Sequence, residues 1–256
     1  MPKLLPIANA LALIGTLLIN YLSNTGIFNG NTMETVSDAY ANLFTPAGYA
    51  FSIWGLIYLG LLGFVIYTGR SLFRHSEEVP ELRQVGWWFV LSCLANSLWV
   101  LAWLYDYTGL SVLLMLALLG CLLKIILNTR MELDYHPFKK YLFVFWPFAI
   151  YAGWVSIALV ANIAAWLTKL GWNGWGLSEV TWTVIVICLA ALVNVFMILQ
   201  RNLREYALTG IWGLIAVAAS NEVSAIIYTC YGISLLLLGV IIYNAMKNRE
   251  RSLSRM

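Results

Sequence analysis

The chain has 256 residues, of which 61% are hydrophobic and only 11% charged, against roughly 45–50% and roughly 25% in soluble globular domains. A water-soluble fold of this size still exposes about a quarter of its unfolded surface and could not hide so much apolar area, so a soluble enzyme and a disordered chain are excluded. The net charge of +3 leaves no basic stripe for nucleic acid, and the partner that the composition requires is the lipid bilayer.

A membrane-spanning helix needs about 20 mostly apolar residues. Windows of that kind predict an all-α, polytopic helical bundle with eight spans, over residues 4–22, 47–67, 86–105, 109–127, 141–167, 178–199, 206–220 and 223–243. The first could be a cleaved signal peptide, since Lys3 precedes an apolar run. That run continues through Asn20 and Tyr21 to Leu22 with no A-x-A-like cleavage site, so a retained span is expected.

Residues 23–46 form the longest extramembrane stretch, well above the usual length of a connection. Ser23-Asn24-Thr25-Gly26 and Asn29-Gly30-Asn31 are turn-rich. Met33 to Leu43 predicts a short surface helix with Val36, Tyr40 and Leu43 on one face.

Span two begins with Tyr49, Phe51, Trp54 and Tyr58. Span three carries Asn96, Trp99 and Trp103 at helical spacing. Span five carries Tyr151, Trp154, Ala158, Asn162 and Trp166, which at about 100° per residue share a stripe roughly 120° wide. All three sets lie in the half of the membrane next to the long loop. An asparagine facing lipid would leave its amide unpaired at a cost of some kcal/mol, so the stripes face inward. Two readings follow. They are helix-packing contacts, or they line an apolar pocket under the loop, with tryptophan faces for a flat ligand and amides for its polar edge.

The seventh window is short and could pair with the eighth as a re-entrant hairpin, leaving seven spans. Basic residues favour eight. With the N-terminus inside, Lys3, Arg70, Arg74, Arg83, Lys124, Arg130, Lys139, Lys140, Arg201, Arg204, Lys247, Arg249, Arg251 and Arg255 all fall on the cytoplasmic side, and Lys169 alone falls outside. The expected location is a bacterial cytoplasmic membrane with both termini cytoplasmic.

No charge is predicted at the midplane. Glu179 and Glu222 lie at outer ends, and Lys124 can snorkel to the inner surface. Ion-coupled transport usually needs such a charge, so binding is favoured over transport of a small molecule, with Asn96, Asn162 and Asn194 left as neutral polar groups. Cys93, Cys121, Cys188 and Cys230 all fall within spans and read as small apolar residues. His75 and His136 lie in polar loops among Glu77, Glu78, Glu132 and Asp134 and read as solvated. No catalytic pair or metal motif is present, so an intramembrane enzyme is the least supported class.

At the aromatic positions the sequence resembles the TspO/MBR family, the tryptophan-rich sensory proteins that include the mitochondrial translocator protein. The family pattern P-Y-x-x-W-x-x-x-A-x-x-x-N-x-x-x-W is matched by Tyr151, Trp154, Ala158, Asn162 and Trp166, with Ile150 in place of the proline. Asn96 and Trp99 match L-x-x-N-x-x-W, with Cys93 at the leucine. Pro46, Tyr49, Phe51, Trp54 and Tyr58 resemble P-P-x-W-x-F-x-P-V-W-x-x-L-Y, with one residue missing between Phe51 and Trp54. The family's acidic residue in span four has no counterpart around Leu113 to Met115.

The resemblance implies a five-helix core over residues 1–167 with loop 23–46 as its lid. Residues 168–256 would then be three additional helices and a basic cytoplasmic tail. It also implies a pocket for a porphyrin, a haem-type ligand or a sterol, with no obligatory cofactor, and leaves chemistry on a bound porphyrin open. Small residues Ala158, Ala161, Ala165, Gly210 and Gly213 permit close helix contact, either within the chain or in a homodimer.

Overall fold

The computed structural model describes residues 4–72 and 79–253; Lys3, Arg74, His75, Glu77, Glu78 and Arg255 lie outside them. The helices in chain order are α1 (Leu4–Leu22), α2 (Met33–Ala39), α3 (Ile53–Gly69), α4 (Pro80–Val85), α5 (Trp88–Leu104), α6 (Thr108–Asn128), α7 (Phe138–Lys140), α8 (Trp146–Lys169), α9 (Glu179–Arg201), α10 (Arg204–Ala219) and α11 (Ser224–Leu253). A 3-10 turn, Gly48–Ser52, leads into α3, and a π-helical turn, Tyr141–Phe145, leads into α8. No strand occurs among the described residues. The protein is an all-α, polytopic integral membrane bundle.

Each of the eight apolar windows holds one long helix. Six of these are long and apolar enough to cross a membrane, and Trp88–Leu104 is a shorter apolar helix of the same kind. The helix ends follow local chemistry. Ser178 caps α9 by accepting from the Thr181 amide at 3.2 Å. Asn202 stops α9 in the left-handed conformation, φ 57°, which asparagine tolerates better than most side chains.

The seventh window is not half of a re-entrant pair. It is α10, a separate helix of 16 residues, about 24 Å long at 1.5 Å per residue and so short of the roughly 30 Å hydrocarbon core. It tolerates this because it is enclosed by protein, packing against α8, α9 and α11. Its small residues make the enclosure possible. A β-carbon on Gly210 would lie 2.6 Å from Asn194 Oδ1 on α9, and one on Gly213 would lie 2.6 Å from Ile157 Cγ2 on α8. These glycine contacts are therefore internal.

Side-chain contacts fix the direction of the helices. Thr16 meets Cys93 and Ser97, and Asn29 and Asn31, beyond the end of α1, meet the Leu104 carbonyl at the end of α5, so α1 and α5 run parallel. Trp54 meets Trp154, whereas Phe64 meets Phe148, so α3 runs against α8. The alternation gathers the long loop, Asp106, residues 170–178 and residues 220–223 at one end. Arg70, Arg83, Arg130, Lys139, Lys140, Arg201 and Arg204 gather at the other, the basic end. Lys169 is at the loop end.

At the basic end Lys140 and Glu81 form an ion pair 3.7 Å long that is nearly closed to solvent, and His136 places its ring edge-on to Phe145. Glu132 follows α6 in the left-handed region, φ 60°. Burial, helped by the charge of Glu205 and opposed by Arg204, pushes its carboxyl up to about 7. Because the folded group titrates above the unfolded one, its contribution to stability is complete below about pH 4.5 and is lost as pH rises through about 7. Glu132→Gln should leave thermal stability in detergent unchanged at pH 4.5 and raise it at pH 8 by on the order of 1–2 kcal/mol. A difference independent of pH would contradict the assignment.

Candidate functional site

Between α3, α5 and α8, at the loop end, lies a small cavity of about 50 Å³. It is lined by Phe51, Trp54, Trp99, Trp103, Trp154, Ala158 and Asn162, together with Met33 and Ser37 of α2 and Thr45, Pro46, Ile157, Ala161 and Ala165. Seven of the twelve residues singled out in the sequence thus share one wall. The rings largely fill the space themselves: Trp54 lies 5.9 Å from Trp99 in a tilted pair and 6.4 Å from Trp154 edge-on.

Five of the twelve lie behind or beside that wall. Tyr58 stacks on Trp54 at 5.5 Å, and Tyr151 meets Trp54 edge-on at 5.7 Å, so both buttress the ring that lines the cavity. Asn96 accepts from Asn20 Nδ2 at 2.8 Å and ties α5 to α1. Trp166 packs over Gly109, where a β-carbon would lie 3.1 Å from its Nε1. Tyr49 is half-exposed and meets Trp212 of α10 edge-on.

Phe51, in the 3-10 turn, and Trp54, in the first turn of α3, stand three residues apart and reach the same cavity, since positions i and i+3 share a face in either kind of helix. Tyr49, two residues before Phe51, falls on the opposite side.

Asn162 is an internal tether. Its Oδ1 accepts from Trp99 Nε1 at 2.9 Å, and its Nδ2 donates to Ser111 Oγ at 2.8 Å. One buried amide therefore holds α5 and α6 to α8 and fixes the tilt of Trp99. Trp154 Nε1 is different, being buried without a hydrogen-bond partner.

The helix in the long loop follows from its capping chemistry. Thr32 and Thr35 cap α2 reciprocally, the Thr35 amide donating to Thr32 Oγ1 at 3.2 Å and the Thr32 amide to Thr35 Oγ1 at 2.8 Å. α2 ends at Ala39, four residues before Leu43, with Met33 and Val36 buried on the cavity side. Trp103 Nε1 donates to the Met33 carbonyl at 3.2 Å. Beyond α2, Tyr40 donates to Asp106 Oδ1 at 2.8 Å, and Lys169 pairs with Asp106 Oδ2 at 2.7 Å. Burial pushes the Asp106 carboxyl up, but the hydrogen bonds from Lys169 and Tyr40 outweigh it and hold the group below the usual carboxylate range.

The rest of the loop is clamped to α10. The Ala47 amide donates to the Ala216 carbonyl at 3.0 Å, Asn221 Nδ2 to Leu43 O at 2.9 Å, and Trp212 Nε1 to Ala50 O at 3.2 Å. Sequence reasoning missed Met33, Ser37 and these α10 clamps. Ala161 and Ala165 were visible only as a small-residue face, whereas Ala158 stands on the aromatic stripe and lines the cavity with it. Among the described residues no group of three or more His, Cys, Asp or Glu could hold a metal ion.

A membrane helical bundle with a tryptophan-lined cavity beside a capped loop helix is the class these residues define. The family model for TSPO-like proteins matches residues 6–243, and the chain belongs to that family. The match runs through α9, α10 and most of α11, so the three C-terminal helices lie within the family's extent. No curated protein and no solved structure shows a significant match to the chain.

Proposed function

We propose that the protein binds and senses a flat hydrophobic ligand, a porphyrin or a sterol-like molecule, in the cavity between α3, α5 and α8. One observation carries the reading. Trp54, Trp99, Trp103 and Trp154 come from three helices to one cavity under α2, with an unpaired indole N–H among them. Packing alone does not need a donor left unsatisfied, which costs roughly 1–3 kcal/mol.

A volume of about 50 Å³ is far below the roughly 300–1,000 Å³ of small-molecule sites. Binding therefore displaces α2 and turns at least one indole aside. The exposed Lys169–Asp106–Tyr40 latch suits that motion, since a surface ion pair contributes only about 0–1 kcal/mol. Occupancy would thus be reported at the surface as release of the lid.

In the same reading the basic end is cytoplasmic and the lid faces the opposite compartment, supported by the collection of Lys and Arg at one end. A tetra-anionic, membrane-impermeant porphyrin added to sealed vesicles of known sidedness tests both parts. It should quench tryptophan fluorescence from the lid side only, with affinity reduced at least ten-fold in Trp154→Ala and in Trp54→Ala. Unchanged quenching in both variants overturns the pocket, and equal quenching from both faces overturns the orientation.

A further inference from the structure

α8 and α9 both pack on α10 and scarcely on each other. The gap between them is a second cavity of about 820 Å³, within the range of ligand sites and separate from the tryptophan cavity. Its walls are aliphatic, chiefly Val160 and Ile163 of α8 and Val186, Leu189, Ala190 and Val193 of α9. Trp172 and Trp182 roof it at the loop end. From Glu179 to Asn194, both on its lining, is fifteen helical steps, or about 22 Å. Leu189 and Val193 line this slot while 55% and 48% exposed on the bundle surface, so its mouth opens sideways into hydrocarbon.

The far end of the slot is polar. Asn194, only 3% exposed, donates from Nδ2 to the Ala190 carbonyl at 2.8 Å, and its Oδ1 has no partner. Tyr206 donates its hydroxyl hydrogen to Ser156 Oγ at 2.6 Å, and Ser156 donates onward to the Ala152 carbonyl at 2.9 Å. What remains is acceptor capacity on Asn194 Oδ1 and Tyr206 Oη, with no charged side chain on that end of the lining. Glu179, at the opposite end, accepts from the Leu43 amide at 3.2 Å.

We propose that the slot between α8 and α9 is a second binding site, for a long-chain neutral alcohol of the polyisoprenoid or fatty type. The molecule enters from the bilayer, draws the Asn194 amide off Gly210, against which its closed-off Oδ1 rests, and donates its hydroxyl to that oxygen. Aliphatic walls suit a chain rather than a stacked ring, and uncharged acceptors select a neutral donor. An ordinary acyl chain would fill the space but leave the buried carbonyl unpaired, which opposes it by roughly 1–3 kcal/mol.

The test uses the full chain in phosphatidylcholine nanodiscs, titrated with radiolabelled geranylgeraniol and with its hydrocarbon analogue lacking the hydroxyl. The expected result is saturable binding of the alcohol at one site, at least ten-fold tighter than the hydrocarbon. Asn194→Leu should reduce the alcohol to the level of the hydrocarbon, and Val160→Trp, which fills the slot away from the polar end, should abolish both. Porphyrin quenching should be unchanged in either variant, which separates this site from the tryptophan cavity. No saturable alcohol binding by the unsubstituted protein, or equal binding of alcohol and hydrocarbon, means that bilayer lipid alone occupies the slot and overturns the proposal. So does an alcohol preference that survives Asn194→Leu. The comparison of the two ligands on the unsubstituted chain decides the matter even where a variant fails to fold.

Discussion

Replacing Gly153 by alanine should lower the thermal unfolding midpoint in detergent by roughly 10 °C, the equivalent of about 3 kcal/mol or more. The added methyl would fall onto Thr209 Oγ1 and the carbonyl oxygen of Tyr206, with the Tyr206 α-carbon 2.9 Å away. Two of these three atoms belong to the α10 backbone, which cannot turn aside as a side chain can. α10 must then move as a whole, and it carries the clamps to Ala47 and Ala50, with Asn221 just beyond its end holding Leu43, that anchor the long loop. Gly120, with nothing within 4 Å of its missing β-carbon, is the internal comparison. In that exposed helical site alanine should be neutral or stabilising by up to about 1 kcal/mol. Similar midpoints for the two variants would show that the α8–α10 contact is not as tight as described.

Asn162→Leu should cost about 1–3 kcal/mol, because it strands Trp99 Nε1 at membrane depth, whereas Ser111 Oγ keeps its 2.7 Å hydrogen bond to the Thr108 carbonyl. The leucine is close in volume, so lost packing contributes little. The distinguishing measurement is a double-mutant cycle with Trp99→Phe, which deletes the donor along with its need for a partner. The two substitutions should be non-additive by about 1–3 kcal/mol, the double variant being more stable than the sum of the singles implies. Additive effects would mean that the amide does not hold the indole. Thermal unfolding of the four proteins gives the cycle.

The aromatic stripes were legible because a helix converts spacing into direction. Trp154, Ala158 and Asn162 lie three or four residues apart and therefore reach one cavity wall, as do Trp99 and Trp103. Tyr49 stood in the set by its place at the entry to span two and not by helical spacing, and it meets Trp212 of α10 instead; spacing could not rank Tyr58 and Tyr151, which stand behind Trp54. The division after residue 167 rested on resemblance to a shorter core. The loop that closes the cavity is anchored at its far end to α10, a contact between residues some 170 positions apart that no local pattern carries.

What the sequence by itself determined is the class of protein: apolar windows mark the helices of a membrane bundle, basic residues sort their ends, and helical periodicity selects the inward faces. Each of these depends on properties summed along one segment. What only the tertiary structure decided is space. Whether four indoles leave 50 Å³ or none, and whether α8 and α9 close on each other or part to leave 820 Å³, depends on how near the helices approach. Around α10 that distance is set by glycines 153, 210 and 213, each meeting atoms of a neighbouring helix. Volume belongs to pairs of surfaces and not to either one alone.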